Sequence, residues 1–129
     1  MRLQEYEIKK SRFYSVAITI NSKEEIKDIY NKLWSEHKKA THICYGYSFI
    51  KNGVENAGYE DDGEPKGTAG KPIRDLLIIT KTNNLVIFVI RYFGGIKLGG
   101  GGLIQAYRNS ANIALKSYRN EDRNDSVNR

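Results

Sequence analysis

A glycine-rich stretch in the C-terminal half of the chain has the residue types of a phosphate-binding site. Residues 91–102 read RYFGGIKLGGGG and directly follow the apolar run NLVIFVI, which predicts a buried strand. Glycine destabilises regular structure by roughly 0.5–1 kcal/mol relative to Ala, so six glycines within nine residues require an explanation. A strand that leads through a bare turn into a helix gathers free backbone N–H groups and the positive helix end at one point, where a phosphate can bind. The candidate ligand-binding residues here are Arg91, Tyr92, Gly94, Gly95, Lys97, Gly99, Gly100, Gly101 and Gly102.

The same glycines have a simpler interpretation, which is that they let the last helix lie close to the preceding strand. That role would need only one or two glycines, so the anion site is the favoured interpretation. Neither G-x-x-x-x-G-K-[ST] nor G-x-G-x-x-G occurs in the chain, so neither a mononucleotide P-loop nor a dinucleotide fingerprint is predicted.

A second set of chemically competent residues lies in the segment EDDGEPKGTAGKP, at residues 60–72. Neighbouring carboxylates can hold Mg²⁺ or act as acid and base. The spacing does not match an EF-hand loop, and the favoured interpretation is a turn whose acids cap the next helix and pair with nearby basic side chains. No metal site is therefore predicted. The candidate ligand-binding residues in this segment are Asp61, Asp62, Glu64, Thr68, Gly70 and Lys71.

The remaining candidates are a histidine and an arginine. His42 stands at the start of a predicted strand beside two lysines, where it meets either a ligand or a structural hydrogen-bond partner. Arg108 lies near the start of the last predicted helix and adds positive charge there. His37 lies on the apolar stripe of a helix and Cys44 has no neighbour in sequence that would activate it, so both are predicted to pack.

Hydrophobic periodicity predicts the elements that must position these residues. It indicates a strand at 11–20, an amphipathic helix behind a capping box that starts at Ser22, and a hairpin that turns at Asn52 and Gly53. A short helix with proline in its first turn, an apolar strand at 85–93 and a last helix follow. This order predicts a two-layer α/β (α+β) fold with a mixed four-stranded sheet and helices mainly on one face.

Length, charge and cysteine content limit the class of protein. The chain of 129 residues predicts one domain at 1–116 and a polar, disordered tail at 117–129. Its net charge of +6 favours a polyanionic partner such as RNA, although positive charge also serves solubility. A single cysteine excludes an intramolecular disulfide and a Cys-based zinc site, and the longest apolar run is too short to span a bilayer. We therefore expect a cytoplasmic protein without a membrane partner.

Four segments together resemble the N-terminal domain of the IMPACT/YigZ family: SRFYS, ATHICYGY, DDGEPKGTAGKP and RYFGGIKLGGGGLIQAY. The resemblance covers about residues 9–116 and implies the fold of the second domain of the small-subunit ribosomal protein five. For function it implies translational control in eukaryotic members, through an initiation-factor kinase, and RNA or ribosome binding in bacterial members. Gln105 stands where the family usually has Arg, and Arg108 one turn later is the candidate to replace that charge.

The functional prediction is a non-enzymatic domain that binds RNA or the ribosome and regulates translation, with no cofactor. In this prediction the 94–102 loop holds a phosphate and the 61–71 loop forms the opposite wall. The first alternative is a Mg²⁺-dependent phosphotransfer or phosphate-ester enzyme in which Asp61, Asp62 or Glu64 holds the metal. The second alternative is a protein-binding module.

Overall fold

The structure is a computed structural model that describes residues 2–127. It contains five strands and three helices, and the order of the elements follows the predicted order except for one additional strand at the N-terminus. The elements are β1 (Gln4–Ile8), β2 (Ser11–Thr19), α1 (Lys23–Glu36), β3 (His42–Lys51), β4 (Val54–Glu60), α2 (Gly70–Ile79), β5 (Leu85–Tyr92) and α3 (Gly99–Val127).

The strands form one sheet in the order β1-β2-β5-β3-β4, and every neighbouring pair is antiparallel. The α/β class is confirmed, but the predicted mixed four-stranded sheet is corrected to an antiparallel sheet of five strands. The additional strand β1 turns into β2 at Lys9 and Lys10, whose φ angles are 46° and 67°. Hairpin turns of this kind favour Asn and Gly, so a Lys-Lys pair gave no turn signal.

The central strand β5 supplies both faces of the sheet, as its unbroken apolar run predicted. Leu85, Ile87 and Val89 pack with α2 and α3 in one core. The alternate residues of the same strand join α1 in a second core on the opposite face. Two of the three helices therefore share one face, and α1 covers the other.

Local sequence signals explain two of the connections. Ser22 Oγ accepts a hydrogen bond from Glu25 N at 3.4 Å, which confirms Ser22 as the N-cap. The reciprocal bond of the predicted capping box is shifted by one residue, because Glu25 Oε2 accepts from Asn21 N at 3.0 Å. The hairpin between β3 and β4 turns at Asn52 and Gly53, with φ angles of 53° and 74°. That turn was also predicted, because both residues tolerate the left-handed region.

The last helix is longer at both ends than expected. It begins at Gly99, so the last four glycines of the stretch form its first turn instead of a loop. It continues to Val127. At its start, the segment predicted as a tail contacts the sheet side of the fold, because the Tyr118 hydroxyl lies 2.6 Å from Thr19 Oγ1 and Arg119 Nη2 donates to Thr82 Oγ1 at 2.8 Å. The last two residues of the predicted tail lie outside the described residues. Within residues 2–127, no helix is both long and apolar enough to cross a membrane.

Candidate functional site

The predicted candidates gather at the end of the sheet where β5 finishes and β3 begins. His42 pairs with Arg91 across these two strands, and α3 starts beside them. A cavity of about 410 Å³ lies here, which we call the α3 cavity. Six of the predicted residues line it: His42, Glu64, Arg91, Lys97, Gly99 and Gly100. Its remaining lining residues were not predicted, and they are Thr41, Pro65, Phe93, Leu98 and Leu103.

A buried ion pair forms the floor of the cavity. Arg91 Nη1 lies 2.7 Å from Glu64 Oε2, and the two residues are 5% and 8% exposed. The Tyr107 hydroxyl donates to the same carboxylate oxygen, and His42 Nε2 lies 3.4 Å from Glu64 Oε1. We call these four residues the Glu64 network. Because Arg91 is buried and paired, Glu64 compensates its charge within the fold.

Aromatic rings enclose the Arg91 guanidinium. Its Cζ lies 5.6 Å from the ring centroid of Phe13 and 5.3 Å from that of Phe93. Nη2 donates to Ser11 Oγ at 3.3 Å, but Nε, which is buried, has no hydrogen-bond partner among the described residues. One buried donor at the cavity is therefore left unsatisfied, which is uncommon in a folded protein.

Two weak acids, Tyr107 within the network and Cys44 beside it, are held in their protonated forms. Burial raises the pKa of the Cys44 thiol well above its usual range, and Cys44 Sγ donates to the Asp61 carbonyl oxygen at 3.1 Å. Burial also raises the pKa of the Tyr107 hydroxyl, and the nearby Cys44 and Glu64 add to this effect. Cys44 is therefore a packing residue, as predicted, and it lacks the thiolate character of a nucleophile.

We expect the free energy of unfolding to fall as the pH rises above about 9. Cys44 and Tyr107 have raised pKa values in the folded chain, and burial together with the Asp62 hydrogen bond raises the pKa of Tyr30 to about 12. The unfolded chain releases these protons at lower pH than the folded chain, so their stabilising contribution is complete at neutral pH and is lost at alkaline pH. Urea unfolding at a series of pH values measures this loss. For each group, the free energy of unfolding falls by at most about 1.4 kcal/mol per pH unit, in the range where the group is protonated in the folded chain and deprotonated in the unfolded chain.

The matched control for this titration is Cys44→Ala. That variant lacks the thiol, so its stability should fall less steeply between about pH 8.5 and pH 10 than that of the unmodified chain. Equal slopes for the two chains would show that burial does not hold the thiol protonated.

The carboxylate of Asp61 organises the loop between β4 and α2. It accepts hydrogen bonds from Gly67 N at 2.8 Å, from Ala69 N at 3.2 Å and from Gly70 N at 2.8 Å. Gly70 is the first residue of α2, so the predicted helix-capping role is confirmed for Asp61. Thr68 Oγ1 closes the same loop by donating to the Pro65 carbonyl oxygen at 2.6 Å.

Asp62 ties this loop to the opposite face of the sheet. Its carboxylate accepts hydrogen bonds from Tyr30 at 2.7 Å, from Trp34 at 3.2 Å and from the backbone of Ile43 at 2.9 Å. Its carbonyl oxygen lies 2.8 Å from His42 Nδ1. Within the described part of the chain, no group of three or more His, Cys, Asp or Glu residues could hold a metal ion.

The other predicted candidates do not line the cavity, and for three of them the side chain lies on another surface. Lys71 is on the surface of α2, where its Nζ lies 3.1 Å from Asp75 Oδ2. Tyr92 points to the α1 face because successive strand residues alternate, and its hydroxyl lies 2.7 Å from His37 Nδ1. Arg108 is exposed on α3 and does not line the cavity.

The six glycines of the stretch divide into two groups. A Cβ atom at Gly94 would overlap the Lys10 carbonyl group, and one at Gly102 would lie 3.2 Å from Leu98 Cβ. Gly95 and Gly99 have φ angles of 91° and 74°, where other residues are strained. The two that remain are Gly100 and Gly101, where the backbone has no positive φ and a Cβ would meet nothing within 4 Å. Packing and backbone conformation therefore do not explain the glycines at these two positions.

Lysines lie on the loops at the end of the sheet where the cavity is found, and Lys97 lines the cavity itself. Six of them are exposed, and none forms an ion pair with any residue that the structure describes. Two occupy the unpredicted β1–β2 turn, which packs against Gly94, so sequence reasoning missed their proximity to the site. The six are Lys9, Lys10, Lys38, Lys39, Lys66 and Lys97.

A family model described as the Impact N-terminal domain matches residues 9–115. The chain belongs to this family. The resemblance inferred from the sequence motifs is thereby confirmed. Among its Impact relatives, an IMPACT family member of Haemophilus influenzae is 40% identical over 118 residues, which are 91% of this chain and 57% of that relative. The Escherichia coli IMPACT family member YigZ is 39% identical over 111 residues, 85% of this chain and 54% of the relative. This Impact domain thus spans about half the length of these relatives.

Solved structures share the fold of this Impact domain. A crystal structure of a hypothetical protein superposes with a TM-score of 0.80 at 37% identity, over 88% of this chain and 56% of that one. The two-domain translational regulator Yih1 superposes with a TM-score of 0.53 at 22% identity, over 85% of this chain and 45% of that one. The first match supports the fold class at the level of sequence and structure, and the second supports the fold alone.

Proposed function

We propose that this Impact N-terminal domain binds RNA, free or in the ribosome, and regulates translation through a phosphate site at the start of α3. The observation that carries the proposal is the pair Gly100 and Gly101, which neither φ nor packing requires to be glycine. Glycine in a helix is less favourable than Ala by about 0.8–1 kcal/mol. Glycines in the first turn of α3 make the helix less stable, but they leave its backbone N–H groups accessible to a ligand. Binding of a phosphate there would explain why glycine occupies both positions.

Positive charge supports the same location. The helix start presents unpaired N–H groups and the positive end of the helix dipole. The six exposed lysines lie on the loops at this end of the sheet. Lys9 and Lys10 occupy left-handed backbone conformations that are unfavourable for residues other than glycine. Local strain that is retained beside a candidate site favours a functional role for the turn.

The assignment to translation comes from relatives. Yih1, which shares the fold, is a two-domain translational regulator. The eukaryotic relatives include a protein IMPACT homolog of Dictyostelium discoideum, 38% identical over 95 residues, 71% of this chain and 27% of the relative. Ribosomal RNA is the main polyanion of the translation machinery. A phosphate site on this domain could therefore bind the ribosome directly.

The Mg²⁺-dependent enzyme of the first alternative has less support. Asp61 and Asp62 each accept three hydrogen bonds, and Glu64 is held by Arg91 and Tyr107. A metal would have to displace donors that also hold the loop in place. The protein-binding alternative would use other surfaces, such as the exposed Ile78 and Ile79 at the end of α2.

Co-sedimentation with ribosomes over a salt series tests the proposal. The variant is Lys38→Ala/Lys97→Ala, and the control is Lys23→Ala/Lys51→Ala, which removes the same charge at the opposite end of the sheet. We expect pelleting of the unmodified domain to weaken as salt rises and the salt slope to fall by about 0.7 for each lost contact to single-stranded RNA. The control should pellet like the unmodified domain.

Two results would contradict this expectation. If the variant and the control lose the same amount of binding, the site is not at the start of α3. If the unmodified domain does not pellet even at low salt, ribosome binding is wrong. Arg91 is left intact in this design because removing it would leave the buried Glu64 carboxylate without its guanidinium partner.

A further inference from the structure

We propose that the α3 cavity binds one unstacked nucleotide of a single RNA strand, with its base on Phe93 and its phosphate at Lys97 and the start of α3. This inference rests on the proposed function and names the form of RNA that the site accepts. A duplex, whose bases are stacked and paired, would not enter the cavity.

The size of the cavity suits a small ligand with an apolar part. Its volume is about 410 Å³, within the range of about 300–1,000 Å³ that small-molecule sites occupy. A bare phosphate would occupy only a small part of this space. Four of the lining residues are apolar, and they would have no role in holding an inorganic anion. These side chains are Pro65, Phe93, Leu98 and Leu103.

Phe93 has the exposure and support of a stacking platform. Its side chain is 46% exposed although it follows the most buried strand of the sheet. The Arg91 guanidinium lies 5.3 Å from its ring centroid, and its backbone N–H donates to Thr41 Oγ1 at 3.0 Å. The ring is therefore held from one side and available to a ligand in the cavity. Aromatic rings in such positions stack on unpaired bases without selecting a particular base.

The phosphate side combines three independent observations. Lys97 and the bare backbone of Gly99 and Gly100 line the cavity beside the ring. A Cβ at Gly100 would meet nothing within 4 Å, so the surface beside its backbone is open. Arg91 also lines the cavity, is 5% exposed and has an Nε donor without a partner in the described part of the chain. A nucleotide offers the acceptors that this end of the cavity lacks.

Calorimetry with three probes tests the inference: an eight-nucleotide oligouridylate, adenosine monophosphate and inorganic phosphate. The full chain is compared with Phe93→Ala and Phe93→Trp, and with Ile79→Ala, which truncates an exposed apolar side chain on α2. We expect Phe93→Ala to weaken binding of the oligonucleotide and of adenosine monophosphate about tenfold or more. Binding of inorganic phosphate should be unchanged, and Phe93→Trp and Ile79→Ala should bind like the unmodified chain.

The outcomes separate this inference from the proposed function. If the unmodified chain binds the oligonucleotide and Phe93→Ala binds it equally well, the nucleotide pocket is wrong and the phosphate site stands. Failure of adenosine monophosphate to compete with the oligonucleotide also overturns the pocket. If the unmodified chain binds no RNA, both proposals fall. Preference for a duplex over the single strand would overturn the unstacked geometry.

Discussion

Glu64→Ala should lower the free energy of unfolding by about 3–5 kcal/mol. The substitution leaves the Arg91 guanidinium 5% exposed and without its anionic partner, and it removes the acceptor of the Tyr107 hydroxyl. A buried charge without a partner is more destabilising than the loss of the attraction alone. Urea unfolding at neutral pH measures the change. A variant that does not fold at all would also agree with this prediction.

Two further variants show whether burial of the pair is the cause. Asp75→Ala breaks contacts to Lys71 and Arg74 on the exposed surface of α2, and it should destabilise the domain by less than about 1 kcal/mol. Glu64→Leu/Arg91→Met replaces both charges by apolar groups and should be more stable than Glu64→Ala. A double variant that is less stable than Glu64→Ala would show that the pair contributes something other than compensation of two buried charges.

Gly100→Ala/Gly101→Ala should stabilise the domain and weaken its binding to RNA. Two alanines in the first turn of α3 add about 1–2 kcal/mol of helix stability, because a Cβ at either position meets nothing within 4 Å. The same methyl groups obstruct the backbone N–H groups that the proposed phosphate approaches. We expect RNA affinity to fall about tenfold, the equivalent of one good charge-assisted hydrogen bond. Thermal unfolding and RNA titration of the same preparation measure both effects.

Asn120→Ala is the matched control for this pair. It lies on the exposed surface of the same helix, far from the first turn, and it also raises helix propensity. The control should be slightly more stable and bind RNA as before. RNA affinity that stays unchanged in the glycine variant would remove the main support for the phosphate site. A loss of stability in that variant would mean that the first turn has a packing role that its open surroundings do not reveal.

Much of the fold could be predicted because its signals are local. Alternation identified β2 and β3, an unbroken apolar run identified β5 as central, and hydrogen bonding within a few residues identified the cap at Ser22. β1 was missed because its turn consists of two lysines in left-handed conformations. The antiparallel arrangement of the whole sheet was missed because strand order depends on contacts between distant residues, which periodicity does not report.

The sequence identified several residues of the site, but it did not identify what each of them does there. His42, Glu64 and Arg91 were chosen as candidates, and the structure places them at one cavity. Which charges neutralise each other depends on distances across β3, β5 and the 61–69 loop, so the sequence did not show that Arg91 is paired. One signal was present and unused: neighbouring strand residues point to opposite faces, so Arg91 and Tyr92 could not both face the same cavity.

The central place of β5 also determines when the sheet can close during synthesis. β1 with β2, and β3 with β4, form hairpins from neighbouring segments, and β5 lies between β2 and β3 in the sheet. A nascent chain that ends before Leu85 therefore holds two hairpins whose inner edges have no partner. Unpaired edges are where growing chains aggregate or are held by chaperones, so the domain stays vulnerable until β5 has emerged and inserted between the two hairpins.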